Sequence, residues 1–593
     1  MRRLFATTVH AALLCVLAAG CTVAPPLRDA APPEAASGWQ AKPGWIARRH
    51  VAVAAHPLAA RAGEQMLAEG GSAVDAAIAI QMVLTLVEPQ SSGIGGGAFL
   101  MFADGRNVEA WDGRETAPLA ATERLFLQAD GSPMGYADAM TGGRSVGTPG
   151  VLRMLEKVHR KHGQLPWARL FAPAIRLADE GFTVSPRLAK LIREAPGLRE
   201  DGAAAAYFFG PDGQPLQAGT TLRNPALAQT LRRIATGGAD AFYSGEMATA
   251  IVARVASHNA NPGLLRERDL AAYRAVLREP VCADYRQWRV CGMPPPSSGG
   301  IAVLQMLGML ESTAIAQLAP LAGQLQPQAV HLFSEAGRLA YADRARYVAD
   351  ADYVPLPGGS PRALLDKGYL ARRAALIGDQ SLNQAWPGQP TATPIAMGLD
   401  QSPGMPSTSH LSVVDAQGRA VSMTTSIERA FGSRLMVHGF LLNNQLTDFS
   451  FVPADRDGPV ANRVEPGKRP RSAMSPTLVF ERRTGALALV IGSPGGPAII
   501  NYVARTLVGV LDWNLNVQQA IDLPNFGSRN GPTELEAGRI SSSLVEALRA
   551  RGHEIRLGPQ TSGLHGIQRI RSESGGHWFA GADPRREGVA SGE

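Results

Sequence analysis

A chain of 593 residues with 45% hydrophobic residues and a mean hydropathy near zero can bury a large core, and its length alone allows several domains. The formal charge of +7 is modest for this size, lysine is scarce beside arginine, and no basic block with interleaved aromatics occurs. Composition therefore gives no footprint for nucleic acid, and no such partner is expected.

Met1-Arg2-Arg3 and the apolar run after it form a basic n-region and a short h-region, with small residues before Cys21. This is the pattern of an export signal over residues 1–21, too short to span a membrane comfortably. Leu17-Ala18-Ala19-Gly20-Cys21 resembles the bacterial lipobox, with its leucine one place early, so Cys21 is the expected lipidation site. Residues 22–45, rich in Ala and Pro, then read as a tether. The expected location is periplasmic, with membrane contact only through the lipid.

Residues 57–69 and 72–87 read as two core helices, separated by Gly70-Gly71 and stopped by Pro89, with Ser72 and Asp75 placed as a capping box. Further helices are expected at 224–234, after Gly299-Gly300 through 310, and at 329–344, which makes the first four hundred residues mainly helical. Cys282 and Cys291 flank a short alternating stretch with a turn near 285–287. In an exported chain they are expected as a cross-hairpin disulfide. Three motifs read as decoys. Gly143-Arg144-Ser145-Val146-Gly147 has the nucleophile-elbow spacing without the strand and helix that the elbow needs, so it reads as a turn. Gly93 to Ala98 follows a helix where a dinucleotide loop follows a strand, and reads as a place for close backbone approach. His159-Arg160-Lys161-His162 sets two cations between the imidazoles, and reads as a solvated helix end instead of a metal site.

Strand patterns dominate after residue 408, in pairs over 411–426, 477–491 and 567–579, with helices at 497–511 and 543–551 between them. Thr408 stands at the mouth of the first strand, after a loop of Ser402, Pro403, Gly404, Met405 and Pro406 that no regular element absorbs. A hydroxyl so placed can attack the carbonyl of Ser407 and cut the chain there. The freed α-amine, with an ordinary pKa of about 7.7 to 8.0, can then act as base for its own side chain. Spacing alone does not separate this from a solvated, Ser/Thr-rich strand start.

The run Thr408-Ser409-His410-Leu411-Ser412-Val413-Val414-Asp415 resembles the self-cleavage segment of the γ-glutamyltranspeptidases. Seven further stretches resemble that family in order: Glu69 to Ala77, Gly113 to Pro118, Met293 to Gly300, Ala340 to Arg344, Leu441 to Gln445, Lys468 to Pro470 and Gly492 to Gly496. The resemblance implies an α+β fold, the four-layer αββα sandwich of N-terminal nucleophile hydrolases, here with a largely helical N-terminal portion. It also implies a large subunit over 46–407 and a small subunit over 408–593, joined in one catalytic domain, with no cofactor or metal.

Carried over residue by residue, the resemblance makes Thr408 the nucleophile, Ser426 the hydroxyl that orients it (threonine in the family), and Gly495 and Gly496 the oxyanion donors. Two N–H groups ahead of the helix from 497 suit that charge. It makes Arg114 the clamp for a substrate α-carboxylate, a role that fits a planar bidentate donor. Ser472 would assist the clamp, but Ala473 replaces the family's second serine. Gln445 and Asp448 would hold the substrate ammonium, with Glu428 in place of a family asparagine. Residues 451–464 are shorter than the lid of lidded members and contain no tyrosine, so an open pocket is expected. The expected activity is hydrolysis or transfer of γ-glutamyl groups from glutathione and related compounds, to water or to an amino-acid or dipeptide acceptor, through a Thr408 ester. Glu428 and Ala473 motivate a rival within the family, an acylase for glutaryl or cephalosporin side chains. A rival of another class is an inactive surface-binding lipoprotein.

Overall fold

The structure is a computed structural model that describes residues 37–105, 107–392, 396–402, 407–571 and 576–593. The expected signal, Cys21 and most of the tether lie outside the described residues, as do residues 403–406 of the loop before Ser407 and Gly575 of the last hairpin turn.

Two seven-stranded antiparallel sheets face each other. The first runs Val589–Gly592, Val51–Ala54, Ser409–Val414, Ala420–Ser426, Gly97–Asp104, Asn107–Gly113, Val276–Arg278. The second runs Trp45–Ala47, His577–Ala582, His565–Ile570, Leu487–Gly492, Thr477–Glu481, Trp288–Gly292, Val281–Tyr285. Helices cover the outer faces. Ala73–Val87, apolar on every side and fully buried, packs on Leu411, Val413, Val421 and Met423 of the first sheet. Gly299–Leu310, Pro327–Tyr347 and Ile499–Leu511 join Leu478, Leu489 and Ile567 of the second sheet in another core. These four layers are the expected αββα sandwich.

Both sheets combine strands from before and after residue 408, so the two expected subunits share one core. The first four hundred residues are mainly helical, as expected, and they also supply seven of the fourteen strands. Gly97–Asp104 is buried on both faces, so it reads as a continuous apolar run with no two-residue alternation to mark it.

The layer between the sheets is polar around the strand that begins beside Thr408, and its groups are paired except for His565 Nε2. His410 bonds the hydroxyls of Thr424 at 2.9 Å and Ser412 at 3.1 Å. Ser412 Oγ donates to His565 O, Ser422 Oγ to Ile491 O, and His565 Nδ1 to His410 O. Burial, reinforced by His565, holds the His410 imidazole neutral, its pKa well below the ordinary value. Because Ser412 Oγ spends its proton on His565 O, His410 Nε2 must be the protonated nitrogen, and Nδ1 accepts from Thr424.

The hairpin itself is fixed by Asp415, whose carboxylate accepts from the backbone of Gln417 and Arg419 across the turn, while its other oxygen takes the Ala73 N–H that opens the outer helix. Cys282 and Cys291 face each other across their hairpin and are disulfide-bonded. Gly299 and Gly300 lie inside the first turn of their helix instead of preceding it, and a Cβ on Gly300 would sit 2.4 Å from Met293 O. Gly143 to Ser145 is a short turn in which Ser145 Oγ donates to Met140 O. His159 and His162 depart from the expected solvated end. His162 stacks on Phe102 at 4.0 Å and bonds Glu109, and His159 packs beside Trp167, which leaves Arg160 and Lys161 as the exposed residues.

Candidate active site

Thr408 is buried at the mouth of its strand, with Oγ1 against the carbonyl oxygen of Ser407. The hairpin register pairs Ser409 with Thr425, so the next residues outward, Thr408 and Ser426, face each other. Their hydroxyl oxygens are 3.5 Å apart. Ser426 Oγ accepts the Glu428 N–H at 2.8 Å and directs its own proton at Ser407 O, 3.3 Å away. A hydroxyl and a polarising donor thus converge on one peptide carbonyl. Gly96 makes this approach possible, because a Cβ there would lie 2.1 Å from Ser426 O.

The flanking side chains fasten the segment. Ser407 Oγ donates to Gln90 O, and Ser409 Oγ donates to Glu88 Oε2 while accepting from Ser92. Glu88 is a buried carboxylate whose other oxygen bonds Arg187. Sequence reading missed Glu88 and Ser92. The only signal was an acidic residue left buried where Pro89 ends the helix.

Arg114, at the end of Asn107–Gly113, is fully buried. Its Nε donates to Pro470 O at 3.1 Å and its Nη2 to Arg471 O at 3.2 Å and to the Asp448 carboxylate. The resemblance set Arg114 and Asp448 at opposite ends of a substrate, and here they are directly paired, because a guanidinium out of water takes the nearest carboxylate. A substrate carboxylate would compete with Asp448 for it. Gln445 Nε2 bridges Glu428 at 3.1 Å and Asp448 at 3.3 Å, so the three expected ammonium ligands do form one cluster. Glu428 holds φ at +78°, and burial first, then the charge of Asp448, drives its pKa well above the usual range. Behind Arg114 lies Glu115, 3.7 Å away, buried, and pushed up to about 8 by desolvation.

Ser472 follows Arg471, and its carbonyl accepts both the N–H and the hydroxyl of Ser298. Ala473 is buried against the second-sheet core. Gly495 and Gly496 have φ of +131° and +55° and lead into the helix Ile499–Leu511. Neither N–H donates to a protein acceptor among the described residues, which leaves two backbone donors at a helix entrance. An aromatic wall stands beside the acidic cluster: Phe451 stacks on Phe126 at 4.5 Å, Tyr136 lies parallel to Phe451, and Arg429 covers the Tyr136 ring. Tyr136 is more than three hundred residues upstream of Phe451, and no local pattern marked it.

The γ-glutamyltranspeptidase family model matches residues 59–593. The glutathione hydrolase proenzyme of Escherichia coli (strain K12) is 36% identical, over 96% of this chain and 95% of that protein. The acylase ACY 1 proenzyme of Pseudomonas sp. (strain SE83) is 35% identical, over 87% of this chain and 88% of that protein. Among solved structures, the cephalosporin acylase from Bacillus halodurans superposes with a TM-score of 0.81 at 28% identity, covering 93% of this chain and 97% of its own. The first two of these relatives are a hydrolase and an acylase, each made as a proenzyme. With Thr408 and Ser426 meeting at one carbonyl and Glu428 bonded to Ser426 beside them, the matches place this chain in the γ-glutamyltranspeptidase family.

Proposed function

We propose that the chain is a self-processing γ-glutamyl amide hydrolase or transferase with Thr408 as its nucleophile. The observation that carries this reading is the placement of Thr408 Oγ1 and the Ser426 hydroxyl on the one carbonyl of Ser407. Oγ1 adds to the Ser407 carbonyl carbon, the C–N bond to Thr408 breaks, and the nitrogen takes the hydroxyl proton. The shift frees the Thr408 α-amine, and water then hydrolyses the resulting ester to the Ser407 carboxylate and the Thr408 hydroxyl. In turnover that amine accepts the Oγ1 proton as Oγ1 adds to the γ-carbonyl of the substrate. The oxyanion lies at the N–H groups of Gly495 and Gly496, and the departing amine takes the proton. Water or an amino acceptor then releases the glutamyl group. Arg114 and Ser472 serve the α-carboxylate, while Gln445, Asp448 and Glu428 serve the ammonium, with glutathione as the natural type of donor. Purified wild-type protein should run as two chains with Thr408 at the second N-terminus and should turn over γ-glutamyl-p-nitroanilide. Activity in an uncut chain contradicts the mechanism.

Two departures favour the acylase as the second reading, Glu428 for asparagine and Ala473 for serine. Faster turnover of a glutaryl than of a γ-glutamyl anilide would select it. We also propose export and lipid anchoring at Cys21, to be tested by palmitate labelling of wild type against Cys21→Ala.

A further inference from the structure

The helix Pro327–Tyr347 bridges the two segments that flank the acyl site. Tyr341 OH donates to Pro497 O, immediately after Gly495-Gly496. Three residues on, Arg344 Nε donates to Ser298 Oγ at 2.7 Å, and that hydroxyl donates to Ser472 O at 2.6 Å. Arg471 Nη1 fixes the same turn from below through Arg344 O. The Arg344 guanidinium, 5.8 Å from the Tyr341 ring centre, is therefore held between the glycine loop and Ser472 by its backbone, its Nε and an aromatic face.

What distinguishes it is charge. The arginines around it all have carboxylates: Arg471 on Asp400 at 2.7 Å, Arg338 on Glu335 at 2.9 Å, Arg346 on Asp457 at 3.1 Å, Arg114 on Asp448. Arg344 has none within ion-pair distance among the described residues, and its two Nη atoms donate to no protein acceptor there, although the side chain is only partly exposed. The end of its helix supplies a partial negative charge, not a counter-ion. Burial and Arg471 accordingly push its pKa down to about 9, the mark of a cation that lacks an anion. A planar fork with both outer nitrogens uncommitted suits a carboxylate. Arg114 already serves the acyl side.

We propose that Arg344 binds a carboxylate on the amine side of the scissile bond, so that the enzyme prefers leaving groups and acceptors that are amino acids or peptides with a free C-terminus. This rests on the acyl-transfer reading above but not on the identity of the acyl group. The test compares Arg344→Gln and Arg344→Lys with wild type on γ-glutamyl-p-nitroanilide, glutathione and the C-terminal amide of glutathione, after each variant is shown to process into two chains. For Arg344→Gln, kcat/KM for glutathione relative to the anilide should fall about ten- to a hundred-fold, mainly through KM. The lysine variant should recover part of it, and glutathione should lose its advantage over the amide. Equal losses on all three substrates, or no loss, overturn the proposal. If wild type processes but ignores every γ-glutamyl compound, the γ-glutamyl reading fails by itself. The Arg344 comparison then runs on glutaryl anilide against glutaryl-7-aminocephalosporanic acid, whose amine carries the carboxylate, with the same outcomes decisive.

Discussion

Replacing Glu428 with asparagine should make the protein more stable while keeping most of its γ-glutamyl activity. Glu428 occupies the left-handed region at φ +78°, which costs an ordinary residue roughly 1–2 kcal/mol and which asparagine tolerates. Its carboxyl is buried beside Asp448, so its folded pKa is raised. A raised carboxyl pKa contributes stability that is present below the unfolded value and lost as pH climbs through the folded one. The gain from Glu428→Asn should therefore be about 1 kcal/mol from the backbone near pH 4 and grow as pH rises. At roughly 2.1 cal/mol/K per residue a chain of this length gains only about 1 °C per kcal/mol, so denaturant midpoints at pH 5 and pH 8 are the better measure. Glu428→Ala keeps the strained backbone and loses the bond from Gln445 Nε2. With a charged hydrogen bond to substrate worth roughly 1.5–3 kcal/mol also gone, its KM for γ-glutamyl-p-nitroanilide should rise by about one to two decades. An asparagine variant less stable than wild type at pH 8 would refute the strain argument. One that loses γ-glutamyl turnover, or turns to the glutaryl anilide, would show that Glu428 is not an ammonium ligand.

Thr408→Ala should leave one uncut, inactive chain by intact mass and denaturing gel. Separating Cys282 from Cys291 by paired serine substitution should cost about 2–3 kcal/mol, the value for closing a loop with a sequence separation of 9, read from denaturant midpoints under non-reducing conditions. Glu115, protonated in the fold until about pH 8, should make wild-type stability decline between pH 4.5 and pH 8 and level off above. Glu115→Gln should flatten that decline, and an unchanged slope would show that the Glu115 carboxyl is ionised beside Arg114.

The hairpin at the centre of the site was legible because its inner and outer faces alternate and its turn is spelled out by Asp415 to Gly418; that register alone sets Ser426 opposite Thr408. The outer helices were legible from their caps and from uninterrupted apolar composition. Gly97–Asp104 was not, since a strand buried on both faces carries no period. The same divide runs through the site. Thr408, Ser426 and the two glycines sit on short local patterns. Glu88 and Tyr136 come from a helix end and a short helix far along the chain, and only the packed core brings them to the site, while Arg344 lies in the stretch Ala340 to Arg344 but owes its role to its surroundings. Their roles depend on what they lack or share in space, such as a counter-ion for Arg344 or a partner ring for Tyr136, and neither relation has a spacing in sequence. For the same reason the pairing of Arg114 with Asp448 was unforeseeable: each was assigned to substrate by motif, whereas burial makes each the other's nearest source of charge. If that pair must open for a substrate carboxylate to enter, affinity should be set by competition between two carboxylates for one guanidinium. Asp448→Asn would then weaken ammonium binding and free the Arg114 clamp together. Its KM on a glutaryl anilide, which has no ammonium to lose, should fall while KM on the γ-glutamyl anilide rises, and a rise in both would show that Arg114 needs Asp448 to hold its place.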